Sequence, residues 1–346
     1  MDKKLTIKDI AALAGVSKGT VDRVLHKRGK VSQKAFDSVN AVLSEIDYQP
    51  NLIARNLKNN KIYSIAVVLP NPSFDSYWLP CVKGIDEAIK EFKAFNLSIK
   101  CHYFDPESTE SFVEVNNTVL ALGPDAVLLA PLFYKEALLA IGLYQEKEII
   151  VSTFNNQLQT DQNLNFVGQD LYRSGRVAAK LLHSISRIGK VAIIHINERY
   201  KNAVHMQEKE RGFRKYCFES GLEDSNIVTL KLKNPNIEST FRKFIDENPT
   251  IEGVFITTSK AYQIAEIIDD LNRSDIAIIG YDLIQENISY LNRGVIDFLI
   301  HQNPKRQAYL GLAELVDHFI FGKEIPAVTL LPLDIVNSEN AFFYLT

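Results

Sequence analysis

The chain has 346 residues, 46% of them hydrophobic, enough to pack cores in two or three domains without disulfide staples. Its three cysteines, Cys81, Cys101 and Cys217, are odd in number and far apart, and no CxxC or His/Cys cluster offers ligand spacing, so neither a metal nor another cofactor is expected. The net charge is only −3, but residues 1–61 hold 12 Lys+Arg against 6 Asp+Glu and the remainder 27 against 36, a small basic head on an acidic body.

The opening stretch MDKKLTIKDIAALAGVS carries Lys8 and Asp9 inside its apolar part, so it lacks the unbroken apolar region of a secretory signal. No run of about 18 apolar residues occurs, which argues against a membrane span. A reducing cytoplasm is the expected location.

Thr6 is a good helix N-cap, with Asp9 three residues on, and Ile10, Ala11 and Ala14 recur at helical spacing until Gly15. Ser17 caps the next helix, where Val21, Val24 and Leu25 form the apolar side and Lys18, Gly19, Thr20 and Arg23 face outward near the start. From the Ser32 cap, Ala35, Val39, Val42, Leu43 and Ile46 make the stripe of a third helix that can roof the other two. Two short helices joined by Ala-Gly-Val-Ser read as a helix-turn-helix, whose second helix brings donors to base edges and phosphates in a major groove. The competing reading is a small three-helix bundle that binds protein. After Pro50, the seven residues from Asn51 to Leu57 favour a helix too short to hold alone in water. Such a helix would order when two copies meet over DNA, with Leu57 as a minor-groove wedge; a plain linker is the alternative.

TIKDIAALAGVSKGTVDRVL, the Val-Ser start of the third helix and YQPNLIARNL resemble the DNA-binding headpiece and hinge of the LacI/GalR repressor family, without gaps over about fifty residues. The resemblance implies base reading by Lys18, Gly19 and Arg23, a backbone contact at Ser32, and minor-groove contacts at Asn51, Ala54 and Leu57. Thr6, Ser17 and Thr20 complete the expected DNA-contacting set. Asp22 departs from the serine common there, setting an anion beside the phosphates and leaving the operator sequence open.

From Ser64 the pattern becomes short apolar runs between amphipathic stretches: SIAVVLP, SIKCHYF, DAVLLA, EIIVSTF, KVAIIHI, GVFIT and IAIIGYD. Buried runs alternating with helices predict two parallel sheets wrapped by helices. No GxGxxG follows the first strand and no nucleophile-base arrangement is visible, so an enzyme on a Rossmann-like scaffold is disfavoured. This part is similar to the two-lobed periplasmic-sugar-binding-protein fold that LacI/GalR members carry. The likeness implies an effector site at Phe74, Tyr77, Trp78, Phe133, Asp170, Lys209, Thr258, Asp282 and Gln302. Tyr77 and Trp78 would stack on a sugar ring, and Asp282 in GYD would accept hydroxyl protons. Core packing of the aromatics and structural hydrogen bonds at Asp170 and Gln302 are the bland alternatives. Lys209 stands where the fold usually has arginine, and Thr258-Ser259 and Leu132-Phe133 replace polar pairs, so the pocket is expected to be more apolar than a simple pentose site.

The expected organisation is an all-α headpiece over 1–49, a hinge helix and linker over 50–61, and an α/β ligand-binding and dimerisation domain over 62–346. Within the last, the N-lobe is expected at about 62–160 and 304–322 and the C-lobe at about 161–303 and 323–340. The function read from all this is a non-enzymatic transcriptional regulator, by default a repressor. It would bind a palindromic double-stranded DNA operator as a homodimer or tetramer, under control of a small effector, by default a sugar or sugar derivative, with an oligosaccharide end or a non-sugar metabolite as the open alternatives, and with no membrane partner. A solute-binding protein for carbohydrate transport is the alternative.

Overall fold

The computed structural model describes residues 6–25, 29–45, 61–158, 164–185, 189–196 and 204–344, and the chain divides into two compact units, Met1–Asn59 and Asn60–Thr346. The expectations for Asn51, Ala54 and Leu57, and for Ile46 in the third stripe, lie outside the described residues.

The first unit contains α1 (Ile7–Leu13), α2 (Lys18–Leu25) and α3 (Gln33–Glu45). Side-chain caps fix where each begins. Thr6 and Asp9 form a reciprocal capping box, Thr6 N–H donating to Asp9 Oδ2 at 2.8 Å and Asp9 N–H to Thr6 Oγ1 at 3.4 Å. Ser17 Oγ accepts from Thr20 N–H at 3.1 Å and Ser32 Oγ from Ala35 N–H at 3.4 Å. Each such cap contributes about 1 kcal/mol. Between α1 and α2, Gly15 takes a left-handed φ of 64°, a turn open to a residue without Cβ. Ile10, Ala11, Val21, Val24 and Val39 then close one small core.

In the second unit, β1 (Tyr63–Pro70), β2 (Leu97–Phe104), β3 (Ala126–Leu129), β4 (Ile150–Phe154), β5 (Asn165–Gly168) and β11 (Val328–Leu330) form a parallel sheet in the order β11-β5-β4-β3-β1-β2. The second sheet holds β6 (Lys190–Ile196), β7 (Ile227–Leu232), β8 (Ile251–Ile256), β9 (Ala277–Tyr281), β10 (Phe298–His301) and β12 (Asp334–Val336) in the order β12-β10-β9-β8-β6-β7. Its strands are parallel except for β12, which runs antiparallel to β10. All seven apolar runs are strands. β5, β7, β10, β11 and β12 are additional.

Both faces of each sheet are covered, which is why the inner strands read as continuous apolar runs; in β1 the last six residues are all buried. On the first sheet α4 (Leu79–Glu91) and α12 (Pro304–Phe321) pack on one face, and α5 (Thr109–Leu122) and α6 (Tyr134–Glu146) on the other. On the second, α7 (Leu171–Ile185) and α8 (Val204–Glu219) oppose α9 (Ile237–Glu247), α10 (Ala261–Asp270) and α11 (Gln285–Asn292). Each Val, Leu, Ile or Phe buried there contributes roughly 1.5–3 kcal/mol.

The chain crosses between the sheets at three places: after Gly168, after His301 and after Leu330. The second falls between His301 and Pro304. The first and third correct the expected lobe limits near 160 and 323, because β5 and β11 pair with each other at the edge of the first sheet and extend that lobe through residue 330.

Candidate functional site

Helix α2 has two unlike sides. Val21 and Val24 are buried in the headpiece core, whereas Lys18, Gly19, Asp22 and Arg23 are exposed and Thr20 is half-buried. Positions 18, 19, 22 and 23 recur at helical spacing, so the exposed side is one face carrying two cations and one anion. Thr6, Ser17 and Ser32 are the caps described above and are exposed, leaving their hydroxyls near solvent at three helix starts.

In the second unit a cleft of about 510 Å³ lies between the two sheets at the carboxyl ends of their strands, lined by both lobes. Open α/β sheets bind ligands at these strand ends. Phe74, Tyr77, Trp78, Lys209, Thr258, Asp282 and Gln302, all expected from the sequence, line it.

The segment after β1 supplies one wall. Asp75 Oδ1 accepts from Tyr77 N–H at 3.0 Å, starting the single turn that presents Tyr77 and Trp78. Tyr77 and Trp78 meet edge-to-face with centroids 5.1 Å apart, and Trp78 also meets Phe154 edge-to-face at 6.3 Å. Only 8% of Tyr77 and 4% of Trp78 is exposed, so both serve the lobe core as well as the cleft, while Phe74 at 65% stands open at the rim. Asn155, left-handed at φ 73° just after β4, donates its amide to the Tyr77 hydroxyl.

The floor comes from β9 and its neighbours. Asp282, also left-handed, at φ 67°, is buried, and its two oxygens accept from Gln302: Oδ1 from the main-chain N–H at 3.1 Å and Oδ2 from the side-chain amide at 2.6 Å. Asn287 fixes this loop by donating to the carbonyls of Ser259, Tyr281 and Asp282 at 2.8, 2.9 and 3.0 Å. Burial pushes Asp282 up to about 6, against the pull of the Lys209 ammonium and of the Gln302 hydrogen bonds.

Lys209 reaches the cleft because α7 and α8 touch through glycines. A Cβ on Gly175 would lie 1.9 Å from the Lys209 carbonyl, and one on Gly212 1.9 Å from that of Tyr172. The buried ammonium donates to the Thr257 carbonyl at 3.0 Å and lies 3.5 Å from the Tyr281 ring centroid. Burial pushes it down to about 8, opposed by the Asp282 carboxylate. Burial and the Lys209 charge push His205 down to about 3, so it faces the cleft as neutral imidazole. Behind the wall, buried His195 shares hydrogen bonds of 2.8 Å with Thr257 Oγ1 and with Glu210. Burial would raise Glu210, but hydrogen bonds from His195, Thr229 and Arg214 hold it at about 2.

Two expected residues are not in the cleft. Phe133 is 2% exposed and packs in the lobe core at 5.4 Å from Phe112 and 6.0 Å from Phe104; it is Leu132 that lines the cleft. Phe133 precedes α6 directly, and at that turn its ring goes under the sheet. Asp170 caps α7, accepting from Arg173 N–H at 2.8 Å, and borders a separate hollow beside Leu171, Tyr172 and Arg211. Sequence reasoning missed Asp75, Asn155, His205, Thr257 and Lys260, which also line the cleft. Their signal was the strand end: Asn155 and Thr257 follow EIIVSTF and GVFI directly.

A family model described as the periplasmic binding protein domain matches residues 65–324, and one described as bacterial regulatory proteins, lacI family, matches residues 6–51. The chain belongs to the LacI family of bacterial regulatory proteins. It is 26% identical to the sucrose operon repressor of Streptococcus mutans over 98% of this chain and 100% of that protein, and 26% identical to the ribose operon repressor of Lactococcus lactis over 81% of each. Among solved structures, a Bacteroides fragilis protein described as a LacI transcriptional regulator superposes with a TM-score of 0.75 at 30% identity, covering 82% of this chain and all of that one. This LacI-family chain is thus a DNA-binding transcriptional regulator with a two-lobed periplasmic-binding-protein-like domain, and the match over residues 6–51 decides against a solute-binding protein for transport. Among the described residues no helix is long and apolar enough to cross a membrane.

Proposed function

We propose that the chain is a cytoplasmic repressor that reads a palindromic operator through the exposed face of α2 and releases or tightens its grip when a sugar or sugar derivative enters the cleft. The observation that carries this reading is the union, on one chain, of a helix-turn-helix with Lys18 and Arg23 on its open face and a strand-end cleft with a buried carboxylate at its floor. Lys18, Gly19 and Arg23 meet base edges; Thr6, Ser17, Thr20 and Ser32 meet the backbone; Asn51, Ala54 and Leu57 act in the minor groove between two half-sites. Two copies of the chain are required for such an operator, since a two-fold site mirrors a two-fold protein. The chain acts by binding and catalyses no reaction, in keeping with its family of regulators.

The sugar reading draws on the chemistry of the cleft. Phe74, Tyr77 and Trp78 offer an apolar wall for C–H faces, and Asp282 with its remaining acceptor capacity offers a seat for hydroxyl protons. The two repressors of sucrose and ribose operons point the same way. Repression is the outcome those two names carry. Lobe closure on the ligand, with a coupling of about 1–3 kcal/mol, would alter operator affinity.

Trp78 is the single tryptophan and sits in the cleft, so its fluorescence reports on occupancy. Titration with sucrose, ribose and a panel of mono- and disaccharides should give a saturable change with one of them that is lost in Asp282→Ala. A flat response across the panel would count against a sugar effector.

A further inference from the structure

The three crossovers between the lobes are tied together by one side chain outside the ligand-lining set. Gln169 follows β5 at the first crossover and is completely buried. Its Nε2 donates to the His301 carbonyl at the second crossover, at 3.0 Å, and to the Pro332 carbonyl at the third. Both amide protons are therefore spent on main-chain atoms of the two other strands of chain that pass between the lobes. Its Oε1, equally buried, has no partner among the described residues.

The second crossover is gripped from further sides. Gln307, 1% exposed near the start of α12, donates to the Gln302 carbonyl at 2.7 Å, and Asp282 takes the Gln302 N–H. At the third, Leu331 N–H donates to the Gly168 carbonyl at 2.8 Å, next to Gln169. Every crossover thus bonds to another crossover or to the cleft floor, and Gln169 is the one residue among those described whose side chain spans all three.

We propose that Gln169 is a positioning residue of the effector response: its amide makes the three crossovers one hinge, so that the lobes turn as bodies and cleft closure is not dissipated in independent movement of three linkers. This deepens the effector reading by naming what governs the motion of the cleft, and rests on that reading for its consequence, whereas the clamp itself is measurable without ligand.

The test compares hydrogen–deuterium exchange of the full chain with that of Gln169→Met, which keeps shape and removes both donors, and Gln169→Glu, which sets a carboxylate against two carbonyls. Exchange in segments 298–303 and 329–334 should rise about tenfold in Gln169→Met and further in Gln169→Glu, with β6 and β8 unchanged. Acrylamide quenching of Trp78 should rise in the same order as the lobes loosen. A rise confined to the neighbours of residue 169, or no rise, would overturn the clamp. So would a uniform rise through the whole second unit, which marks general destabilisation; should Gln169→Met not fold, Gln169→Asn, with its amide one methylene short, must still loosen both remote segments. A failure of the sugar titration leaves these outcomes untouched, so the two readings fall separately.

Discussion

Gln302 gives both its main-chain N–H and its side-chain amide to Asp282, at 3.1 and 2.6 Å, so the carboxylate at the cleft floor is bonded directly to a lobe crossover. A ligand hydroxyl that binds Asp282 engages a residue already committed to the hinge. On the proposed reading, recognition and lobe movement meet at one side chain.

That carboxylate should leave a signature in stability against pH. Its folded pKa, about 6, exceeds the ordinary 3.8, so the folded state holds the proton more tightly than the unfolded chain. The stabilisation is complete below about pH 4 and is lost as pH rises to 6, by about 3 kcal/mol at most for a shift of this size. Because His205 and His301, pushed down to about 3 and about 4, titrate with the opposite sign over the same range, the decline is read as a difference: in urea unfolding at pH 4, 5, 6 and 7 the wild type should lose stability relative to Asp282→Asn as pH rises, and parallel profiles would exclude Asp282 as a titrating group.

Lys209 and Asp282 should be energetically coupled. Lys209→Met keeps most of the packing yet removes the ammonium whose charge offsets the burial of Asp282 from beyond ion-pair contact, a loss on the order of 2 kcal/mol. Removing the charge on both sides, in Lys209→Met with Asp282→Asn, should recover most of it in a double-mutant cycle. Strictly additive losses would mean that the two groups do not interact.

Gly175→Ala should destabilise by about 1–3 kcal/mol, because the new methyl would enter the Lys209 carbonyl at 1.9 Å and force α7 from α8. Denaturant midpoints measure it. Gly142→Ala, with open space around the site, is the control that should lose nothing.

On α2, an exposed acid facing a polyanion is repelled by phosphates but can accept from the amino group of cytosine. In selection from random DNA, Asp22→Ser should lose a preference for cytosine at one position in each half-site and bind more tightly overall. An unchanged preference would remove Asp22 from base reading.

What the sequence disclosed follows from how local each signal is. Thr6, Ser17 and Ser32 announce helix starts, and runs such as SIAVVLP announce strands buried on both faces, so the headpiece and most of both sheets were legible. β5 and β11 are four and three residues long and are held by pairing with each other, which no local pattern encodes; the lobe limits were misplaced for that reason. In the cleft, Asp282 and Gln302 were legible through strand-end position and family likeness. Phe133 was not, since residues adjacent in LLAPLF point to opposite sides of the sheet end, and Gln169 was not, because its partners lie 132 and 163 residues away.

Operator reading by α2 is tested by incubating the purified protein with sheared DNA from its source genome, at physiological salt, and sequencing what it retains beside Arg23→Ala. The wild type should retain a sharp set of palindromic sites that the variant, its fold and cleft intact, no longer enriches. Equal enrichment by both proteins, or retention without any common sequence, would contradict sequence-specific reading by the exposed face of α2.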